Sequence, residues 1–233
     1  MFNKTILMVI LLASLLAGCN PAALNTEPAR IPTATTTLEF VQSTPSQPVS
    51  AAPPISIYTV TPGTPPSASQ AVLDRAAGVV GALKNKDMAS LSAYVHPPLG
   101  LRFSPYAAVK DTDLVFPADE VAGLLADDTL YNWGGYSSTG NPIELTFADY
   151  FSQFVYDVDF AAAPEISLDH RLGESTTLDN SHDFYPGAMI VEYYFPGFDP
   201  QYEGMDWRSL RLVFQKEKDA WYLVGIIHDQ WTT

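Results

Sequence analysis

Basic side chains are scarce in this chain. Twelve Lys and Arg stand against 26 Asp and Glu, a net charge of −14 with His neutral. With no basic cluster to displace counterions, nucleic acid is excluded as a partner. There is a single cysteine, Cys19, so neither an intrachain disulfide framework nor a cysteine-based zinc site can form. The four histidines (His96, His170, His182 and His228) show no metal-ligand spacing. No Gly-x-Ser-x-Gly elbow is present, which argues against a serine hydrolase. Trp133-Gly134-Gly135-Tyr136 lacks the Lys and the following helix of a phosphate loop. No apolar run reaches the roughly 20 residues needed to span a membrane as a helix. Hydrophobic residues still make up 47% of the 233, too many for a wholly disordered chain. No cofactor is expected.

The first residues are rich in a different way. Lys4 precedes an apolar run, Ile6 to Leu16, of signal-peptide length, and the run ends in Leu16-Ala17-Gly18-Cys19. That ending resembles the lipobox of bacterial lipoproteins. The resemblance implies a signal peptide over 1–18, a diacylglyceryl group on the Cys19 thiol, and an anchor in the membrane on its extracytoplasmic face. The alternative is an ordinary secretory signal with an incidental cysteine.

Residues 19–70 read as a tether. From 20 to 70 the chain holds 10 of the 19 prolines, 15 Ser or Thr and three charges, with neither helical nor strand period. Proline fixes φ and removes a donor, which favours extended backbone. Residues 71–233 carry nearly all the charge and are long enough for one domain with its own core.

Within that domain the periods are uneven in clarity. Val72, Ala76, Val79, Val80 and Leu83 share one helical face, which predicts a helix over about 69–85. Asp87 caps a short second helix, and Leu101 with Phe103 forms a short strand. Asp119 to Ala126 reads as a short helix. Thr146 and Asp149 form a capping box that opens a helix with Tyr150, Phe151, Phe154 and Val155 on its face. Leu168 to Leu178 is polar and ambiguous. Met189–Phe195, Leu210–Gln215 and Trp221–Gln230 predict three strands, the last apolar on both faces. Strict alternation along it places His228 on the side of Tyr222, Val224 and Ile226. Helices first and antiparallel strands last give an α+β layer.

The run from Ser209 to Asp229, an apolar strand, the charged turn Lys216-Glu217-Lys218-Asp219 and a strand opening on Trp221-Tyr222-Leu223, resembles the final hairpin of NTF2-like domains. The helix, Lys-Asn-Lys-Asp, helix pattern over 71–95 resembles the opening of that fold. Tyr94-Val95-His96-Pro97, Arg102 to Tyr106, Phe195-Pro196-Gly197-Phe198-Asp199 and Gly204-Met205-Asp206-Trp207 are similar to stretches of a group of uncharacterised bacterial lipoproteins and secreted proteins. The resemblance implies a cone, with N-terminal helices packed on a curved antiparallel sheet. It is interrupted by an insert between the early helices and the last three strands.

Three sets of residues are candidates for a site. In enzymatic NTF2-like relatives such as ketosteroid isomerase, acid and base residues line the cone. By that resemblance His228 would be a base, with Glu192 or Tyr194 polarising a substrate in an isomerase- or dehydratase-type reaction. His228 and Asp229 point to opposite faces and cannot form a dyad with each other. Trp133, Tyr136, Tyr202 and Trp207, near expected loops, could line a groove for a sugar or peptide; packing is the alternative. Asp199, Glu203 and Asp206 share one loop, but their spacing is not that of an EF-hand. Taken together, the sequence favours a non-catalytic binding or sensing module for an envelope ligand or partner. A structural role in an envelope complex and the enzyme are the alternatives.

Overall fold

The computed structural model describes residues 67–174 and 177–232. The lipobox, Cys19 and most of the expected tether lie outside the described residues. Helix α1 spans Ala68–Lys84, and Ser67 caps it by accepting the Gln70 N–H at 3.2 Å. Its buried face is the predicted one. Asp87 caps α2 (Met88–Ser92) by accepting the Ser90 N–H at 2.9 Å. Tyr94, just past α2, brings the hydroxyl end of its side chain against Gly78. A Cβ there would fall 2.2 Å from the tyrosine oxygen, so only glycine allows this approach. The Arg75 guanidinium sits over both Tyr94 and Tyr222.

The main sheet has six strands: β1 (Leu101–Ser104), β2 (Val115–Phe116), β5 (Glu165–Leu168), β6 (Met189–Phe195), β7 (Arg208–Glu217) and β8 (Ala220–Gln230). Their order is β2-β1-β8-β7-β6-β5, antiparallel throughout except for the parallel β1–β8 pair. Met189, Val191, Tyr193 and Phe195 all turn toward the helices, as their alternation predicts. In β8 the alternation breaks. Phe214 pairs with Leu223 but Val213 pairs with Gly225, an extra residue in β8. Leu223 and Ile226, three apart, therefore both face the helices, while Val224 joins Ile227 on the opposite face. The strict alternation expected around His228 is corrected accordingly: it shares a face with Ile226 but not with Val224. A bulge of one residue re-aims every side chain beyond it.

The insert supplies α3 (Ala118–Val121), a second sheet of β3 (Tyr131–Gly135) and β4 (Pro142–Leu145), and α4 (Phe147–Phe154). Thr146 caps α4, accepting the Asp149 N–H and donating to its carboxylate at 2.9 Å. These elements deliver aromatic rings into the space between helices and sheet. Trp133 stacks on Tyr150 with centroids 3.8 Å apart, and Phe103, Phe147 and Phe154 close around them. Each such buried ring contributes about 1.5–3 kcal/mol from area alone. The fold is α+β with an insert, helices packed on one face of a mainly antiparallel sheet as expected, and the insert's aromatics fill the space between helices and sheet. On the opposite sheet face a smaller apolar cluster of Val109, Tyr185, Ile190, Val213, Val224 and Ile227 lies partly under α5 (Ser181–Phe184).

Candidate functional site

His228 lies on the helix face of β8, sealed from solvent, with its ring edge-on to Phe154. Its Nε2 is 3.2 Å from Asp157 Oδ1, and Asp157 accepts the Arg208 Nε–H at 2.8 Å. Burial opposes ionisation of Asp157, but His228 and Arg208 outweigh it and hold the carboxyl below its usual range. Glu192 and Tyr194 are elsewhere. They pair across the ladder with Arg211 and Ser209, whereas His228 pairs with Leu210, which pairs with Tyr193. Residues directly opposite share a face, so His228 stands on one side of the sheet and Glu192 and Tyr194 on the other. The expected trio does not converge, because β6 offers Tyr193 rather than its neighbours to the helix face. Asp157, the actual partner of His228, follows α4 and carries no sequence signal that marks it.

The candidate aromatics do not assemble a groove either. Trp133 is in the core, where its Nε1–H donates to the Leu145 carbonyl at 3.0 Å. Tyr136 is half-buried against Phe154. Trp207 is buried beside Tyr194, over Gly173. Tyr202 is exposed. The acidic loop is tied to itself: Asp206 accepts the N–H groups of Phe198 and Asp199, and Asp199 accepts that of Gln201. Among the described residues no three His, Cys, Asp or Glu side chains are grouped to hold a metal, Asp199, Glu203 and Asp206 included.

A different set is brought together on the face away from the helices. Arg211 of β7 donates to Asp229 of β8 at 3.1 Å and to Asp179 at 2.6 Å. Arg171, from the segment after β5, donates to the same Asp229 oxygen at 2.8 Å. Beside them the buried Glu192 carboxylate accepts the N–H groups of Leu172 and Gly173 and the Ser209 hydroxyl at 2.5 Å. Arg171, Leu172 and Gly173, in the stretch ambiguous in sequence, and Asp179 just after it are thereby fastened to the sheet. Burial pushes the Asp229 carboxyl up, and its two guanidinium partners pull it only part of the way back. Asp179, nearer the surface, also meets a burial penalty, but Arg211 outweighs it and holds the carboxyl below its usual range.

This network walls a cavity of about 120 Å³ whose lining includes Asp169, Asp179, Ser181, Glu192 and Arg211. Arg211 is 2% exposed, and its Nε–H finds no acceptor. Ser181, equally buried, lies near Asp179 but its hydroxyl makes no well-formed hydrogen bond. His170 and His182 are exposed at the rim. Arg211 and Asp229 are charged residues inside apolar strand runs, Leu210-Arg211-Leu212 and Ile227-His228-Asp229, and that is the signal sequence reading passed over. Wider depressions of about 410 and 470 Å³ lie beside the β7–β8 turn, between it and the loop around Pro98.

No protein-family model and no curated protein matches the chain. Among solved structures, a protein named Rd1NTF2_05 is 12% identical, over 69% of this chain and 98% of its own, with a TM-score of 0.30. A domain from Xanthomonas campestris, described as a calcium/calmodulin dependent protein kinase II association domain, is 11% identical. That likeness covers 72% of this chain and 90% of the other, also with a TM-score of 0.30.

Proposed function

We propose that the protein is a lipoprotein anchored through Cys19 on the extracytoplasmic side of a membrane, whose NTF2-like domain binds a small polar ligand and performs no chemistry on it. The observation that carries the binding reading is the cavity walled by Arg211, Glu192, Asp179 and Ser181. Buried polar groups normally have partners, and Arg211, whose Nε–H has none, lines a space large enough to supply one. The cone in which NTF2-like enzymes work is occupied by Trp133, Tyr150 and Phe154, and Glu192 and Tyr194 lie on the sheet face away from His228. That favours binding over isomerase-type chemistry.

A second reading, a structural partner in an envelope complex, is favoured by one loop. Phe198, Tyr202 and Met205 all expose large side chains between β6 and β7. The anchor is tested by feeding a fatty-acid label to cells making the full chain or Cys19→Ser. Label and membrane fractionation are expected for the first only; a labelled or membrane-bound Cys19→Ser protein would overturn the anchor. The binding reading is tested by thermal unfolding of the detergent-purified chain against small polar solutes. A ligand at 100 times its dissociation constant adds about 2.7 kcal/mol.

A further inference from the structure

We infer that the cavity behind β6 and β7 takes the hydroxyl-bearing edge of a neutral sugar or polyol. This rests on the binding reading above and names its ligand class. Size comes first. One water needs about 10–15 Å³ of such space, so a cavity of about 120 Å³ holds several hydroxyl groups, one edge of a ring.

Charge then narrows the class. Asp169, Asp179 and Glu192 line the cavity and Asp229 stands behind Arg211, against only Arg171 and Arg211. Both guanidiniums are already engaged by Asp229, and Arg211 also by Asp179. An anion would have to take them from carboxylates while approaching a net negative wall. A metal cation finds no grouping of three ligands among the described residues, and the Arg211 guanidinium in the wall repels it.

Hydrogen-bonding capacity selects among neutral ligands. Arg211 Nε–H is a pure donor without an acceptor. The Ser181 hydroxyl gives and takes. Glu192 Oε2 accepts one N–H, from Leu172, and a carboxylate oxygen has room for a second. The residues lining the cavity thus carry a donor, a donor-acceptor and an acceptor. Vicinal hydroxyls, each able to accept and donate, answer all three at once.

The test uses the purified full chain in detergent, by calorimetric titration with glucose, N-acetylglucosamine, myo-inositol and glycerol. Sodium phosphate, tetramethylammonium chloride and N-acetylalanine amide are run alongside. Saturable binding of at least one hydroxylated probe is expected, unchanged by phosphate. Ser181→Ala should weaken it about fivefold to tenfold, the worth of one hydrogen bond. Arg211→Lys, which keeps the charge and loses the Nε–H geometry, should weaken it further. Should Arg211→Lys fail to fold, Ser181→Ala carries the test alone. Phosphate, tetramethylammonium or the amide binding in a Ser181-sensitive way, with no hydroxylated probe doing so, would overturn the ligand class and leave the binding reading standing. No binding by any probe would overturn both.

Discussion

Arg211 and Asp229 meet diagonally across β7 and β8, Nη2 to Oδ2 at 3.1 Å, and neither side chain is more than 2% exposed. Two charges so deeply placed cost several kcal/mol each in lost hydration, and only mutual pairing offsets that. Arg211→Met leaves Asp229 with half its cationic support and Asp179 with none from β7. It is expected to cost about 3–5 kcal/mol in urea unfolding. Arg211→Met combined with Asp229→Leu should be more stable than Arg211→Met alone. A double variant as unstable as the sum of its parts would show that the pair is not coupled.

The packed space between helices and sheet gives a second expectation. Phe154 packs between Tyr150 and His228. Phe154→Ala should lose about 3–5 kcal/mol and leave a hollow on the helix face. Apolar cavities of that kind stay dry and accept small aromatics. Benzene should then raise the melting temperature of the variant and leave that of the native chain unchanged.

Much of the fold was legible because the physics involved is local. The Val72–Leu83 face, the Asp87 and Thr146 caps and the β7–β8 hairpin each depend on residues a few positions apart. The functional reading failed where a decision depends on distant chain. Trp133 looks the same in sequence whether it lines a groove or stacks on Tyr150; only α4, supplied by the insert, decides. The face of Val224 was lost to a bulge at Val224 itself. The cavity was not legible because most of its lining residues, Asp169, His170, Arg171, Asp179, Ser181 and His182, lie in or just after a stretch with no period. Arg171 and Asp179 are held there by ion pairs to β8 and β7.

Acid should act through Asp157 and Asp229 with opposite sign. Asp157 is held below its usual range, so its contribution is complete above about pH 4 and is lost as pH falls through its lowered folded value. Asp229 is raised, so the penalty for its charge is present above its folded value and is relieved as pH falls through it. Melting temperature measured from pH 6 to 2 should therefore fall less steeply in Asp157→Asn than in the native chain, and more steeply in Asp229→Asn. Equal slopes in all three would contradict both assignments.

Gly173 is fixed by contact. A Cβ there would lie 2.5 Å from the Trp207 ring, which rests on Tyr194. Gly173→Ala must push the indole or the backbone that feeds Glu192, at a cost of about 1–3 kcal/mol. Tryptophan fluorescence should shift as Trp207 moves toward water. Gly173→Ala in Trp207→Leu should recover stability, since the smaller side chain leaves room.

The parallel pairing of β1 with β8 joins Phe103 to Ile226. A contact separated by on the order of 120 residues closes a long loop, and loops of that length are entropically slow to form. Only two residues of β2 guard the other edge of β1, so β1 has almost no sheet until the last strand arrives. The domain therefore cannot finish assembling from its beginning: its first strand waits for its final dozen residues, and a chain halted just short of them keeps helices and hairpins but no closed sheet.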